Sequence, residues 1–321
     1  SSLPSRYGIG CFDEAAYKFV DWLQAAGQHY WQILPLVPTS YGDSPYQSFS
    51  TFAGNPYFID LEEFIQRDLL TAAECAGCDW GGSKSYVDYE KVYLSRFSLL
   101  RKAYRRFYQM DGTNKELQLI HEEMEAFEKE QDFWLADYCL YMAIKNQQSG
   151  KPWNEWEPAL RDRQPEALEE AKRCCWEDIE FYRFQQYEFF KQWNDLHSYA
   201  NRNGIRIIGD LPIYVAFDSA DTWSMPKLFQ FTEDHKPKAV AGCPPDGFAA
   251  TGQLWGNPVY DWEYHRSTGY AWWIQRVKSC LKMFDTLRID HFRGFDEYYM
   301  IPYGHPTAAH GVWKKGPGIE L

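Results

Sequence analysis

Apolar residues along the chain follow two patterns, which predict alternating helices and buried strands. Three stretches, at 13–27, 181–204 and 270–284, repeat apolar residues at three- and four-residue steps, which is typical of amphipathic helices. Apolar runs without polar alternation indicate parallel strands that are covered on both faces. These runs are "YWQILPLVP" at 30–38, "PYFIDL" at 56–61, "IRIIGDLPIYV" at 205–215 and "DTLRID" at 285–290. Helix, turn and buried strand in succession predict an α/β fold, either an open sheet or a (β/α)₈ barrel.

The middle of the chain departs from this alternation. Residues 65–204 are charged and rich in helical patterns, and they far exceed a usual crossover between parallel strands of about a dozen residues. We therefore predict the start of the α/β sheet or barrel at 1–64, a helix-rich insertion subdomain at 65–204 and the continuation of the sheet or barrel at 205–321. The alternative is that the middle supplies the crossover helices of an ordinary sheet. A Gly/Pro-rich stretch at 216–262 is expected to be irregular, with an active-site covering loop near 242–260.

Composition narrows the range of partners and compartments. The formal net charge of −12 makes nucleic acid and anionic membrane surfaces poor partners. Eight cysteines in 321 residues are too few for a disulfide framework, and no Asn-x-Ser/Thr sequon occurs, so we expect a cytoplasmic protein. The CxxC pair Cys75 and Cys78 lacks a second ligand pair, which favours a reduced loop over a zinc site. An aromatic content of 18% fits a packed core and also the stacking of sugar rings.

The stretch "TLRIDHFRGF" at 286–295 carries the first candidate for chemistry. Arg288 and Asp290 are two apart on a strand and share a face, and Asp290 closes that strand, where ligands gather in parallel sheets. A neighbouring guanidinium favours the ionised carboxylate. The residues leave three roles open for Asp290: a nucleophile toward an acetal carbon, a structural ion pair, or a metal ligand beside His291. Two ligands are too few for a usual metal site, so we predict no metal there.

Other stretches add groups that are suited to a sugar. Asp210 ends its own strand before Pro212, so it is a second strand-end carboxylate, although it could also cap the following turn. Further candidates are Gln253, Trp255 and Asn257 in "TGQLWGNP", and Asp43, Ser44, Tyr46 and Gln47 in "GDSPYQSFS". Each of these stretches is weak evidence by itself, because turns with an aromatic residue are common.

Five motifs together resemble the 4-α-glucanotransferases, also called amylomaltases or disproportionating enzymes, which form glycoside hydrolase family 77 of the α-amylase clan. They are "SLPSRYGIG", "GDSPYQSFSTFAGNPYFIDL", "IRIIGDLPIYVAFDSADTW", "CPPDGFAATGQLWGNPVYDW" and "LRIDHFRGF". They occur in the family's order along the whole chain. The resemblance implies a (β/α)₈ barrel with helical insertions, no cofactor, and α-1,4-glucans and maltooligosaccharides as donor and acceptor.

The resemblance also implies a retaining double displacement. Asp290 would be the nucleophile that forms a glucosyl-enzyme, and Arg288 would orient it. His291 and Asp210 would contact the bound glucose, Tyr46 would belong to the donor site, and the loop with Gln253, Trp255 and Asn257 would cover the cleft and exclude water. Ser44, beside Tyr46, is also predicted to bind substrate. After "PPD" the family commonly has an aromatic residue, whereas this chain has Gly247 and then Phe248.

A larger departure concerns the second carboxyl that retaining chemistry needs. The family carries this acid/base glutamate on the fifth barrel strand, and a third essential aspartate near the seventh. We expect only about four barrel strands here, and Glu320 falls in the helix that would precede strand five. The chain is therefore expected to be an N-terminal fragment that is inactive alone. The alternatives are an α-glucan hydrolase of the same clan and a non-catalytic glucan-binding remnant.

Overall fold

The computed structural model describes residues 1–40, 42–83, 85–110 and 115–321, without the side chains of residues 115–117. The helices are α1 Glu14–Ala25, α2 Glu62–Gln66, α3 Ala72–Ala76, α4 Tyr89–Met110, α5 Lys115–Glu130, α6 Leu135–Gln147, α7 Pro158–Arg161, α8 Pro165–Cys174, α9 Trp176–Arg202, α10 Ala220–Ser224, α11 Trp262–Ser267 and α12 Ala271–Met283. The strands are β1 Tyr30–Gln32, β2 Arg206–Pro212, β3 Ala239–Cys243, β4 Gln253–Pro258, β5 Thr286–Asp290, β6 Glu297–Pro302 and β7 Val312–Lys315. The mixed α/β class is confirmed.

The three predicted amphipathic helices are confirmed as α1, α9 and α12, and their ends have local causes. Asp13 caps α1 by accepting a hydrogen bond from the Ala15 amide at 3.0 Å. Gly27 and Gly204 follow α1 and α9 with φ of 68° and 75°, a left-handed conformation that glycine adopts without a steric cost. The pattern of apolar residues therefore predicted these helices, and the glycines predicted the C-terminal ends of α1 and α9.

The described residues form two compact units. The first consists of Ser1–Gln32, Ala53–Cys139 and Cys175–Ile207, and α1, α4 and α5 pack around α9 within it. On α9, Phe184 stacks on Phe64 with ring centroids 5.8 Å apart. The fully buried Glu188 of the same helix accepts two hydrogen bonds from Arg67, at 2.8 and 2.7 Å. This bidentate pair satisfies a charge that would be costly to bury alone.

The strand predicted at 56–61 is wrong. Residues Pro56–Phe58 form a 3-10 turn, in which the Asn55 side chain accepts a hydrogen bond from the Tyr57 amide at 3.0 Å. Proline at the first turn position has no N–H to give to a sheet. The backbone on either side is bound by α9 instead, since Gln186 bonds both backbone groups of Gly54 and Gln192 accepts from the Asp60 amide. The apolar run is buried, but as a turn.

The second unit consists of Ile33–Phe52, Leu140–Cys174 and Ile208–Leu321. In it β2 and β5 are parallel neighbours, with Asp210 opposite Arg288 and Pro212 opposite Asp290. The predicted strands at 205–215 and 285–290 are therefore confirmed. The run at 30–38 yields only the short β1, because Pro35 and Pro38 cannot donate to a ladder.

A second sheet is antiparallel, in the order β4-β3-β6-β7. The expectation of an irregular stretch at 216–262 is wrong in part, because β3 and β4 pair within it and α10 precedes them. The strands β6 and β7 carry too short an alternation to be recognised from the sequence. In the described part of 65–204 each assigned element is a helix or a 3-10 turn. The predicted domain boundaries stay predictions.

None of the described helices is both long enough and apolar enough to cross a bilayer.

Candidate active site

The carboxyl ends of β2 and β5 bring the two predicted aspartates to one place in the second unit. Asp210 lies in β2 directly opposite Arg288, and Asp290 is the last residue of β5. Gly209 of β2 has no side chain, which leaves room for the ring of Phe284 at the end of α12: a Cβ at Gly209 would lie 2.2 Å from that ring. The sequence thus places both carboxylates on adjacent parallel strands, at the edge where such sheets bind ligands.

Arg288 connects the two carboxylates. Its Nη1 donates to Asp210 Oδ2 at 2.9 Å and its Nη2 donates to Asp290 Oδ1 at 2.8 Å. The Tyr46 hydroxyl also donates to Asp210 Oδ2, at 2.7 Å. The side chain of Asp210 is 1% exposed, whereas that of Asp290 is 40% exposed. The arginine therefore holds one buried and one accessible carboxylate, and Asp290 is the one that a ligand can reach.

The surroundings of these groups shift several ionisation equilibria. Burial, the hydrogen bond to Asp210 and its negative charge raise the pKa of Tyr46 to about 12, so the phenol stays protonated and donates. The negative charge of Asp210 raises the pKa of Arg288 above its usual value. Burial lowers the pKa of His291, and the neutral imidazole is therefore favoured at neutral pH. The site thus combines two hydrogen-bond donors that stay protonated, Tyr46 and Arg288, with carboxylate acceptors.

Aromatic rings border the carboxylates on one side. His291 follows β5 with φ of 53°, an uncommon conformation for a residue with a side chain, which turns the chain sharply after Asp290. Trp255 stands edge-on to the imidazole, with ring centroids 5.0 Å apart. Tyr214 lies 6.4 Å from His291 and 6.1 Å from Trp255 by the same measure. The rings offer apolar surface of the kind on which sugars stack.

The remaining predicted residues form hydrogen bonds with other groups of the protein. Gln253 accepts a hydrogen bond from the indole nitrogen of Trp255 at 3.0 Å. The Ser44 hydroxyl accepts from the Tyr46 amide at 3.3 Å and so shapes the turn before that tyrosine. Asn257 is 5% exposed and is bound by Gln47. The structure brings all of the predicted site residues into the second unit, and what each does to a ligand stays a prediction.

Sequence reasoning did not identify the residues that hold the backbone of the site in place. Arg276 of α12 donates to the carbonyl oxygens of Pro212 and Ile213, and Tyr260 also donates to the latter, at 2.7 Å. These bonds fix the backbone that follows Asp210. Tyr214 was also missed, although its spacing from Asp210 and Pro212 along the extended chain could have indicated a shared face. Nothing local marks Arg276, because its partners lie far away in the sequence.

Among the described residues, no cluster of three or more His, Cys, Asp or Glu side chains could hold a metal ion.

Comparison with known proteins agrees with this arrangement. A sequence profile described as 4-alpha-glucanotransferase matches residues 1–321. The chain belongs to the 4-alpha-glucanotransferase family. A 4-alpha-glucanotransferase of Clostridium butyricum is 48% identical over 322 residues, which is 100% of this chain and 64% of that protein. Its counterpart in Streptococcus pneumoniae serotype 4 (strain TIGR4) is 49% identical over 322 residues, covering 100% of this chain and 62% of its own length.

A solved structure shows the likeness in three dimensions. Amylomaltase from Streptococcus agalactiae, in complex with acarbose, superposes with a TM-score of 0.94 and 42% sequence identity, covering 99% of this chain and 63% of that chain. The 321 residues therefore span less than two thirds of the length of these family members. The resemblance inferred from the five motifs is confirmed.

Proposed function

We propose that this chain carries the donor site of a 4-alpha-glucanotransferase, which moves α-1,4-glucan segments between maltooligosaccharides. The observation that carries the proposal is the accessible Asp290 carboxylate, which Arg288 binds at 2.8 Å in a chain that matches the family throughout. An accessible strand-end carboxylate that a guanidinium holds in place suits attack on an acetal carbon.

The proposed chemistry is a retaining double displacement. One carboxylate oxygen of Asp290 bonds to the anomeric carbon of the donor, and the bond from that carbon to the leaving oxygen breaks as that oxygen is protonated. The 4-hydroxyl of a second glucan then attacks the glucosyl-enzyme, loses its proton to a base and releases Asp290. The second carboxyl, which serves as acid and then as base, is not among the residues that we assign.

Two unpaired polar atoms support the proposed contacts with the donor sugar. Asp210 Oδ1 and His291 Nε2 are buried and have no hydrogen-bond partner among the described residues. Such atoms are costly unless something binds them, and the hydroxyl groups of a glucose residue would pair with both. In this proposal Tyr46 and Ser44 complete the donor site, and the segment that carries Gln253, Trp255 and Asn257 covers the cleft.

Two wider features belong to the same proposal. We infer that β1, β2 and β5 are strands of a (β/α)₈ barrel, which the parallel pairing of β2 with β5 and the helix before β5 support. We also infer a cytoplasmic location, since all eight cysteines are free thiols.

Incubation of the complete gene product with maltotriose tests the activity. Transfer is expected to yield glucose together with longer maltooligosaccharides at a constant number of reducing ends, because each cleaved bond is replaced by a new one. Chromatography of the products and a reducing-end assay measure both quantities. Reducing ends that rise steadily from the start would instead identify an α-glucan hydrolase and refute the transferase.

A further inference from the structure

The part of β4 that carries Trp255 lies in an interruption of the strand ladder. β3 pairs with β4 at Cys243–Gln253 and Gly242–Leu254, and the register then shifts, so that the next pair is Val240–Pro258. Trp255, Gly256 and Asn257 are thus the residues of β4 that lie within the shift. Gly256 has φ of 80°, which a residue with a side chain rarely adopts. Bulges of this kind aim a side chain, but they weaken the backbone pairing that would hold it.

Two side-chain amides replace the missing ladder, and we call Gln47 and Asn257 the amide latch. Gln47 Nε2 donates to the Trp255 carbonyl oxygen at 3.2 Å and to Asn257 Oδ1 at 3.1 Å. Asn257 Nδ2 donates in turn to the Val215 carbonyl oxygen at 2.9 Å. Both ends of the Asn257 amide are therefore engaged inside the protein. Its residue exposure of 5% leaves little room for direct contact with a sugar.

The latch joins the segments that hold the proposed donor site. Gln47 follows Tyr46, whose hydroxyl binds Asp210 at 2.7 Å. Val215 follows Tyr214, which contacts the rings of Trp255 and His291. A shift of the latch would therefore move the indole of Trp255 relative to the carboxylates, without touching Asp290 or Arg288.

We propose that Gln47 and Asn257 are positioning residues that fix Trp255 and thereby determine how strongly transfer is favoured over hydrolysis. This inference rests on the proposed function. An indole held in one place stacks on a sugar at a low entropic cost and excludes water from the glucosyl-enzyme, whereas a mobile indole does neither. The latch acts on acceptor binding and water exclusion, so it leaves the attack of Asp290 on the donor largely unchanged.

The test compares Gln47→Ala, Asn257→Ala and the double variant in the complete gene product. Each single variant is expected to raise the acceptor KM about tenfold and to lower the ratio of transfer to hydrolysis by a similar factor, as the loss of one or two hydrogen bonds predicts. For Gln47→Ala the kcat at saturating acceptor should stay within about threefold of wild type. Because both amides act through one contact, the double variant should be at most about twofold worse than the more affected single variant.

Gln230→Ala is the matched control. Its side-chain amide also donates to a backbone carbonyl, that of Tyr260, at 2.9 Å, but it does not bind Trp255 or Asn257. This variant should leave the acceptor KM and the transfer ratio unchanged, even if the protein becomes less stable. If Asn257→Ala fails to fold, Gln47→Glu provides the test, because Gln47 is partly exposed. The new carboxylate would face two acceptor oxygens, so the acceptor KM should rise at least as much as in Gln47→Ala.

Three results would contradict the positioning role of Gln47 and Asn257. The first is a wild-type acceptor KM and transfer ratio in the Gln47 variants, and the second is a double variant whose loss equals the product of the two single losses. The third is a raised acceptor KM and a lowered transfer ratio in Gln230→Ala. The wild-type maltotriose assay separates this inference from the proposed function. No transfer by the wild type refutes both, whereas normal transfer with unaffected latch variants refutes the latch alone.

Discussion

At the scale of single residues, Arg288 organises the electrostatics of the site. It binds Asp210 and Asp290 with different nitrogens, at 2.9 and 2.8 Å. Without a cation between them, two carboxylates at neighbouring strand ends would repel each other. The planar guanidinium can bind both at once, which a lysine ammonium at the same position would do with poorer geometry. The guanidinium therefore fixes the position of the accessible Asp290 carboxylate.

Replacement of Asp290 by asparagine tests its proposed role. Asp290→Asn keeps the size of the side chain but removes the nucleophilic oxygen, so turnover of maltotriose by the complete gene product should fall about 1,000-fold or more. Binding of a glucan, measured by calorimetry, should change little. Asp296→Asn is the control, because that aspartate is 77% exposed and its side chain lies 3.7 Å from Lys315. Asp290→Asn activity within about tenfold of wild type would rule out the nucleophile.

At the scale of elements, α9 decides the conformation of a segment far away in the sequence. Gln186 bonds the amide of Gly54 at 2.7 Å and its carbonyl oxygen at 2.9 Å, across 132 positions of the chain. The preceding residue, Gln185, is equally buried, yet neither of its amide atoms has a hydrogen-bond partner among the described residues. Of these two adjacent buried glutamines, Gln186 is therefore hydrogen-bonded at both amide atoms, whereas Gln185 has no hydrogen-bond partner among the described residues.

These glutamines give a matched pair of substitutions. Gln186→Leu leaves both backbone groups of Gly54 buried without a partner and should lower the free energy of unfolding by about 2–4 kcal/mol. Gln185→Leu removes an unpaired amide and should be neutral or stabilising by about 1 kcal/mol. Urea unfolding of each variant measures the difference. Equal destabilisation by both substitutions would contradict the hydrogen-bond assignment.

At the scale of the whole molecule, a buried histidine links the stability of the chain to pH. His265 is 0% exposed and is surrounded by the rings of Tyr260, Trp262 and Trp272. Burial lowers its pKa to about 4, from 6.5 in an exposed setting. Between these two values the unfolded chain binds a proton that the folded chain does not. Stability from this group is therefore complete above pH 6.5 and is lost as the pH falls toward 4.

Substitution of His265 isolates this contribution. Between pH 6.5 and pH 4, wild type should lose up to about 3 kcal/mol more of its free energy of unfolding than His265→Phe, which has no group to protonate. Urea unfolding at several pH values measures both slopes. His310→Gln, at an exposed position, should keep the wild-type slope. A His265→Phe curve parallel to that of wild type would contradict the linkage.

The sequence by itself determined the helices α1, α9 and α12, the strands β2 and β5, and the family. These features depend on local patterns: apolar periodicity, glycine after a helix, and motifs of adjacent residues. It also placed Arg288 and Asp290 on one face, because side chains alternate along any strand.

Tertiary structure alone decided that 56–61 is a turn, that Asp210 is buried while Asp290 is accessible, and that Asn257 is bound by Gln47. Each of these outcomes depends on a partner distant in the sequence: Gln192 for Asp60, Tyr46 for Asp210, and Gln47 for Asn257. A hydrogen bond between distant residues leaves no periodic trace in the chain, and only the folded backbone brings its two groups within reach.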